Sequence, residues 1–410
     1  MAKAEETEDE TEILKGTSAV AKGVMSVDPD VVSAYPITPQ TGVVEKLSEL
    51  FADGKMDGEF IKVDSEFNAA STCIGASAAG ARVFSATSSQ GLKLMSEPLF
   101  TASGMRLPIV MAVANRSLSA PLSIWADHTD SFAERDGGMI QFYAEDVQEA
   151  VDHVLLGYKV AETVNLPVIS TFDGFILTHV QEPVNLPDEE KTSEFLPPRE
   201  PKYTLDPSDP KTMGAYARPE HWMETRYEVH RALNESRDVI QAAVEEFADV
   251  FGRDYTEYGG MIDTYRAEDA DYVLLALGSI AGTIREVVDD YRARGEKVGM
   301  VRPRIFRPFP AEALRDALAG KEAVGILTKE VSPGYESALA GEVKAALYSA
   351  DDRPAIQDFI IGLAGRDVTK DEIADMVEET KTTDREMDFA DEESWPQLRA
   401  EIIEEEVDFK

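Results

Sequence analysis

From about residue 15 the chain alternates short apolar runs with stretches whose apolar residues recur every three or four positions. VVSAYP precedes TGVVEKLSELFA, FIKVD precedes EFNAASTCIGASAAG, and RVFSAT precedes QGLKLMSEPLFTASG. LPIVMAVAN follows, and then DVQEAVDHVLLGYKVAETV comes before PVISTFD. Val43, Val44, Leu47, Leu50 and Phe51 fall on one face of a helical repeat, so a helix is predicted there. Strands that alternate with helices predict a parallel sheet covered on both faces.

The alternation stops near residue 180. EPVNLPDEEKTSEFLPPREPKYTLDPSDP is rich in Pro and Glu, which predicts no regular element, and the long polar-apolar stretch beginning PEHWMETRYEV predicts a helix that returns to the body. A second α/β pattern follows: DYVLLALGS, IAGTIREVVDDYRARG, KVGMVRP, PAEALRDALAG and EAVGILTKE. The organisation expected is therefore an acidic, solvated tail over 1–14, a parallel-sheet domain over 15–180 and a connecting arm with a helical segment over 181–268. A smaller α/β domain over 269–365 and a second acidic tail over 366–410 complete it.

Charge narrows the range of functions. The 410 residues hold 78 Asp plus Glu against 40 Lys plus Arg, a formal net charge of −38. Nucleic acid is a poor partner for such a surface, because phosphate binding needs clustered cations. Dense carboxylates fit either a high-salt environment or ordinary solubility, two readings that a melting curve in KCl separates. The single cysteine, Cys73, excludes an internal disulfide and a thiolate-held iron–sulfur cluster within one chain. The start, MAKAEETEDETEILKG, lacks the basic and apolar regions of a signal peptide, and no apolar run reaches the length of a membrane span, so a soluble cytoplasmic protein is expected.

In open parallel sheets, ligands gather beyond the carboxyl ends of the strands. After the first strand, Tyr35-Pro36-Ile37-Thr38-Pro39-Gln40 places Thr38 as a potential cap and Pro39 in a first helical turn, where helix N–H groups attract anions. After the second, Asp64-Ser65-Glu66 puts Glu66 in the first turn of a helix of small residues, a position the helix dipole also favours without any function. After the third, Thr87-Ser88-Ser89-Gln90-Gly91 is a polar turn that lacks the glycines and lysine of a phosphate loop. After the fourth, Arg116 is either a carboxylate clamp or a surface ion pair. Ile124 to Asp130 groups acids, His128 and Trp125, where loop anchoring is favoured over a metal site. Fingerprints of serine hydrolases, zinc proteases and dinucleotide-binding folds are missing.

YPITP, the SEF turn, TSSQGL, NRSLSAP and IWADHTDSFAERDGG occur in that order, and together they resemble the alpha subunit of the pyruvate:ferredoxin oxidoreductase family. The likeness runs through roughly residues 15 to 365. It implies a thiamine-diphosphate pyrimidine-binding domain followed by a transketolase-C-terminal-like domain. The cofactor would be shared with a beta subunit that carries the pyrophosphate-binding domain, a Gly-Asp-Gly motif and Mg2+; this sequence has no GDG. By the same resemblance Glu66 bonds the aminopyrimidine ring and acts catalytically, and Pro36, Ser89 and Gln90 contact the cofactor. Thr38 and Arg116 hold the carboxylate of the 2-oxoacid, with no metal ligand on this chain. The implied reaction is reversible oxidative decarboxylation of pyruvate to acetyl-CoA and CO2, with coenzyme A as acyl acceptor. Electrons would reach ferredoxin through iron–sulfur clusters on gamma and delta subunits. Another 2-oxoacid, such as 2-oxoglutarate or 2-oxoisovalerate, and a non-catalytic scaffold subunit are the alternatives.

Overall fold

The computed structural model describes residues 11–384, 394–399 and 402, and the chain divides into two compact units. The first unit takes in residues up to Asp263 together with Pro303–Pro310. Its elements begin with β1 (Thr11–Lys15), α1 (Gly16–Val27), β2 (Val31–Ala34), α2 (Thr41–Ala52), β3 (Glu59–Lys62), α3 (Glu66–Ala78) and β4 (Val83–Thr87). They continue with α4 (Ser89–Leu94), α5 (Ser96–Met105), β5 (Val110–Asn115), α6 (Thr129–Phe132), β6 (Ile140–Tyr143), α7 (Val147–Val164) and β7 (Val168–Asp173). β8 (Gln181–Asn185), α8 (Glu189–Phe195) and α9 (Pro219–Phe251) complete the run.

Six of these strands form a parallel sheet in the order β6-β7-β5-β4-β2-β3. The inner strands are buried on both faces, as in VFSAT of β4 and VMAVAN of β5, and read as apolar runs, whereas the edge strand β3, EFIK, is mostly exposed. From β2 the chain crosses to β3 on one side, whereas from β4 it crosses to β5 on the other. The carboxyl ends of β2 and β4 therefore flank a topological switch point, where such sheets open a crevice. α2 buries Val43, Val44, Leu47 and Leu50, with Phe51 half-buried, the face read from its spacing. α3 packs closely because it is made of small residues: Ala69, Ala70 and Cys73 share one core cluster with Leu92, Met95 and Leu99 of the next two helices.

Three expectations about the connecting segments are corrected. Thr11–Lys15 ends no tail; it is an antiparallel partner of β8, with Ile13 opposite Pro183. The Pro-containing QEPVN forms a regular strand because a two-stranded ribbon leaves each strand an open edge, where a missing N–H costs little. Residues 181–263 form no separate arm but belong to the first unit, where the expected returning helix, α9, lies along α7 and buries Val244, Phe247 and Phe251.

The second unit begins within β9 (Ile262–Tyr265) and holds β10 (Tyr272–Ala276), α10 (Ile280–Ala293) and β11 (Val298–Pro303) up to Arg302. After β12 (Ile305–Arg307) it continues with α11 (Ala311–Leu318), β13 (Ala323–Thr328), α12 (Ala338–Leu347), β14 (Ala355–Ile360) and α13 (Lys370–Thr382). Its sheet runs β14-β13-β10-β11-β9, with parallel pairing from β11 to β14. β12 belongs to the other unit, where it pairs antiparallel with β6 as a seventh strand at the edge of the otherwise parallel sheet. The expected tail after residue 365 is also corrected. α13 starts with a Thr369–Glu372 capping box and buries Ile373, Met376 and Val377 in the core beneath α10, since its acidic face hides an apolar stripe. The remaining parts of the two acidic tails, 1–10 and 385–393 with most of 400–410, lie outside the described residues. No helix among the described residues is long and apolar enough to cross a membrane.

Candidate active site

Each turn that leaves the central strands is held by a specific contact. After β2, the Thr38-Pro39 peptide is cis and α2 begins only at Thr41, so Thr38 caps nothing and Pro39 precedes the helix. A residue before proline is driven out of helical geometry, which delays the helix start. Gln40 takes over as the anchor. Fully buried, it donates from Nε2 to Ala86 O at 2.7 Å and accepts from Ile37 N at 3.3 Å, tying the turn after β2 to strand β4. Thr38 and Pro36 stay exposed at the rim.

After β3, Ser65 caps α3 by accepting from Asn68 N at 3.2 Å, and Glu66 is the first helical residue. Glu66 is only 8% exposed, yet its carboxylate accepts no hydrogen bond among the described residues. Buried acids are normally satisfied, so an unpaired one at the carboxyl end of a parallel strand is a candidate for completion by a ligand. Gly91 supports it from below. A Cβ at this position would stand 2.5 Å from Thr87 Oγ1 and 2.8 Å from Glu66 Oε1, so the backbone of the turn after β4 approaches the carboxylate as only glycine allows.

The turn after β4 is itself unusual. Ser89 holds a left-handed backbone, φ 49°, while fully buried; its N–H donates to Asp130 Oδ2 at 2.9 Å, and its hydroxyl reaches Ser117 O at 2.5 Å and Gln90 Oε1 at 2.6 Å. Thr87 Oγ1, Ser88 Oγ and Gln90 Nε2 are buried with no hydrogen-bond partner among the described residues. Donors and acceptors left open beside an open carboxylate fit an aminopyrimidine, whose ring nitrogens accept and whose amino group donates. The site therefore passes the chemical test for the pyrimidine end of thiamine diphosphate.

After β5, Arg116 is buried and in no ion pair among the described residues, so the surface-pair reading does not hold. Its Nη1 donates to Thr38 O at 2.9 Å and its Nε to Ser123 O at 2.9 Å, while Nη2 takes no bond among the described residues. Burial pulls the guanidinium down from its ordinary value, and the charge of Asp130 pushes it back. Thr38 and Arg116 are thus brought together, and Ser89 and Gln90 meet on the neighbouring turn. Gly174 closes the floor: a Cβ there would lie 2.3 Å from Asn115 O and 2.7 Å from Pro39.

Sequence reasoning did not single out Gln40, Thr87, Ser88 or Gly91. In the IWADHTD segment Asp127 anchors backbone, accepting from Thr129 N at 3.0 Å, and the His128 ring is held by Asp173 at the end of β7, Nε2 to Oδ1 at 2.7 Å. Among the described residues, no three His, Cys, Asp or Glu converge as a metal site.

Residues 22–245 match the family described as pyruvate flavodoxin/ferredoxin oxidoreductase, thiamine-diphosphate-binding, and residues 270–373 match pyruvate:ferredoxin oxidoreductase core domain II. The chain belongs to this family of 2-oxoacid oxidoreductases. Within it, the chain is 46% identical to the pyruvate synthase subunit PorA of Methanothermobacter thermautotrophicus, covering 91% of this chain and 96% of that one. It is 49% identical to PorA of Methanosarcina barkeri over 90% and 92% of the two chains. The ketoisovalerate oxidoreductase subunit VorA of Pyrococcus horikoshii is 46% identical over 90% and 93%. In fold, it resembles the 2-oxoglutarate:ferredoxin oxidoreductase of Magnetococcus marinus, with a TM-score of 0.70 at 21% identity; 92% of this chain spans 66% of that one.

Proposed function

We propose that this chain is the alpha subunit of a pyruvate:ferredoxin oxidoreductase and supplies the pyrimidine-binding half of its active site. The overall reaction converts pyruvate, coenzyme A and two oxidised ferredoxins to acetyl-CoA, CO2, two singly reduced ferredoxins and a proton, and it is reversible with a low-potential donor. The observation that carries the reading is Glu66, a buried residue whose carboxylate accepts no hydrogen bond among the described residues, with the unpartnered polar atoms of Thr87, Ser88 and Gln90 on the next turn at the switch point. When bound, thiamine diphosphate supplies the carbon nucleophile and the electron sink for decarboxylation. Glu66 holds a proton at the pyrimidine ring nitrogen, and Gln90 and the serine-rich turn orient the ring, with Pro36 at the rim. Arg116 and Thr38 take the substrate carboxylate. The free Nη2 edge of Arg116 offers the charge-assisted bonds, and the carbonyl of Thr38 keeps that guanidinium in plane.

A beta subunit would bring the diphosphate-binding domain and Mg2+, and gamma and delta subunits the iron–sulfur clusters; ferredoxin would be the electron acceptor. The equal identity to VorA relatives supports 2-oxoisovalerate as a second substrate reading.

The test is coenzyme-A-dependent viologen reduction by the complex co-expressed with its neighbouring subunits, comparing pyruvate, 2-oxoglutarate and 2-oxoisovalerate. Preference for pyruvate supports the proposal; preference for another acid moves the substrate and keeps the site; no activity with any favours a scaffold subunit. In the same complex Glu66→Gln should assemble normally and lose about 100-fold or more of kcat, as removal of a proton-holding group does. Wild-type turnover in that variant removes Glu66 from the mechanism.

A further inference from the structure

The carboxylate of Asp130 lies between two of the turns that build the site. It is fully buried, and every polar group that meets it is a donor. Oδ2 accepts from Ser89 N at 2.9 Å and Arg116 N at 3.0 Å; Oδ1 accepts from Asn115 Nδ2 at 2.8 Å and Ser131 N at 2.8 Å. Only an ionised carboxylate offers acceptors alone in that geometry; an amide of the same shape would turn an NH2 group toward donors. No ion pair of Asp130 stands among the described residues to offset its burial. Burial pushes this carboxyl up to about 6 against the pull of its donors, and the Arg116 guanidinium is the positive charge it acts on; a buried charge held this way is retained where the bonds it organises matter.

Those bonds span the site. Ser89 belongs to the turn after β4, and its left-handed backbone is one that a serine does not adopt unaided. Arg116 starts the turn after the neighbouring strand β5, and its side chain in turn holds Thr38 O after β2. One oxygen atom thus fixes both the cofactor-facing turn and the start of the carboxylate clamp.

We propose that Asp130 is the positioning residue that locks the pyrimidine-facing turn and the Arg116 clamp into one register, so that cofactor and 2-oxoacid are held at a fixed mutual distance. The inference rests on the functional reading above. It makes Asp130 act through Ser89 and Arg116 and not by touching substrate.

Asp130→Asn, in the co-expressed complex, tests it through two quantities that a purely structural role would leave alone. The KM for the 2-oxoacid should rise about tenfold or more while the KM for coenzyme A stays unchanged. The increase in Tm that thiamine diphosphate with Mg2+ gives the wild-type complex should shrink by at least about half. Asn115→Ala, which removes one of the four donors and leaves the carboxylate, should shift both in the same direction by about threefold or less in KM. It carries the test should Asp130→Asn fail to assemble. Unchanged KM for the 2-oxoacid with an unchanged cofactor-induced Tm gain overturns the inference, as does an equal rise in both KM values. If the wild-type complex turns over no 2-oxoacid, the functional reading fails, and the Tm gain alone then decides whether Asp130 shapes the cofactor turn.

Discussion

At the scale of residues, function depends on groups that the fold leaves unsatisfied. Arg116 spends two of its donors on carbonyls and keeps one edge open, so Arg116→Ala should raise the KM for the 2-oxoacid by about 10- to 100-fold, the cost of a charge-assisted bond, while the KM for coenzyme A holds. Steady-state kinetics with both substrates varied would show it; equal shifts would argue against a clamp. Gly91→Ala places a methyl group against Thr87 and Glu66, so activity should fall about 10- to 100-fold from a displaced carboxylate. Stability, read from the melting temperature, should drop only by the overpacking cost of about 1–3 kcal/mol.

The positions of Glu66, Ser89, Gln90, Thr38 and Arg116 were legible in the sequence, since all stand just beyond predicted strands; the structure joins Arg116 to Thr38 and Ser89 to Gln90 and brings Gly91 against Glu66. What the sequence could not show was which neighbour each would meet. Thr38 reads as a cap from its spacing before α2, yet the proline that follows it and the Gln40 anchor delay the helix to Thr41 and leave the Thr38 carbonyl to Arg116. Gly91 and Asp130 act by what they leave room for or pin across the chain, and neither effect has a local pattern.

At the scale of elements, burial decided where charge patterning misled. α13 carries Asp371, Glu372, Asp375, Glu378 and Glu379, and a run of that composition reads as a solvated tail. Its apolar positions nonetheless repeat at helical spacing, and Ile373 is fully buried against the core that includes Ile284 and Val288. Ile373→Ala should therefore cost about 2–5 kcal/mol, measurable as a lower denaturant midpoint with an unchanged slope. A variant as stable as wild type would return the segment to the tail it resembles. The same competition runs the other way in β1 and β8, where Thr11–Lys15 and Gln181–Asn185 are too short and too polar to announce themselves and gain strand structure only from each other.

At the scale of the whole molecule, a net charge of −38 on 410 residues repels itself in the folded state and less so in the extended chain. Raising KCl from about 0.1 to 1 M shortens the screening length from about 10 to 3 Å, and the melting temperature should rise across that range. A flat or falling curve would leave solubility as the sufficient reason for the acidic surface.

The path of the backbone has a further consequence. The chain passes from the first unit to the second after Asp263, returns at Pro303 and leaves again after Pro310. On that return visit β12 pairs with β6 and occupies what would otherwise be the open margin of the large sheet. A fragment ending at residue 263 would expose the unpaired amides and carbonyls of β6, a template for self-association. Although the two units have separate cores, the gene between them cannot be cut at one point to release a well-behaved half. Grafting, truncation or exchange of either unit has to carry the eight-residue strip Pro303–Pro310 along with the large sheet.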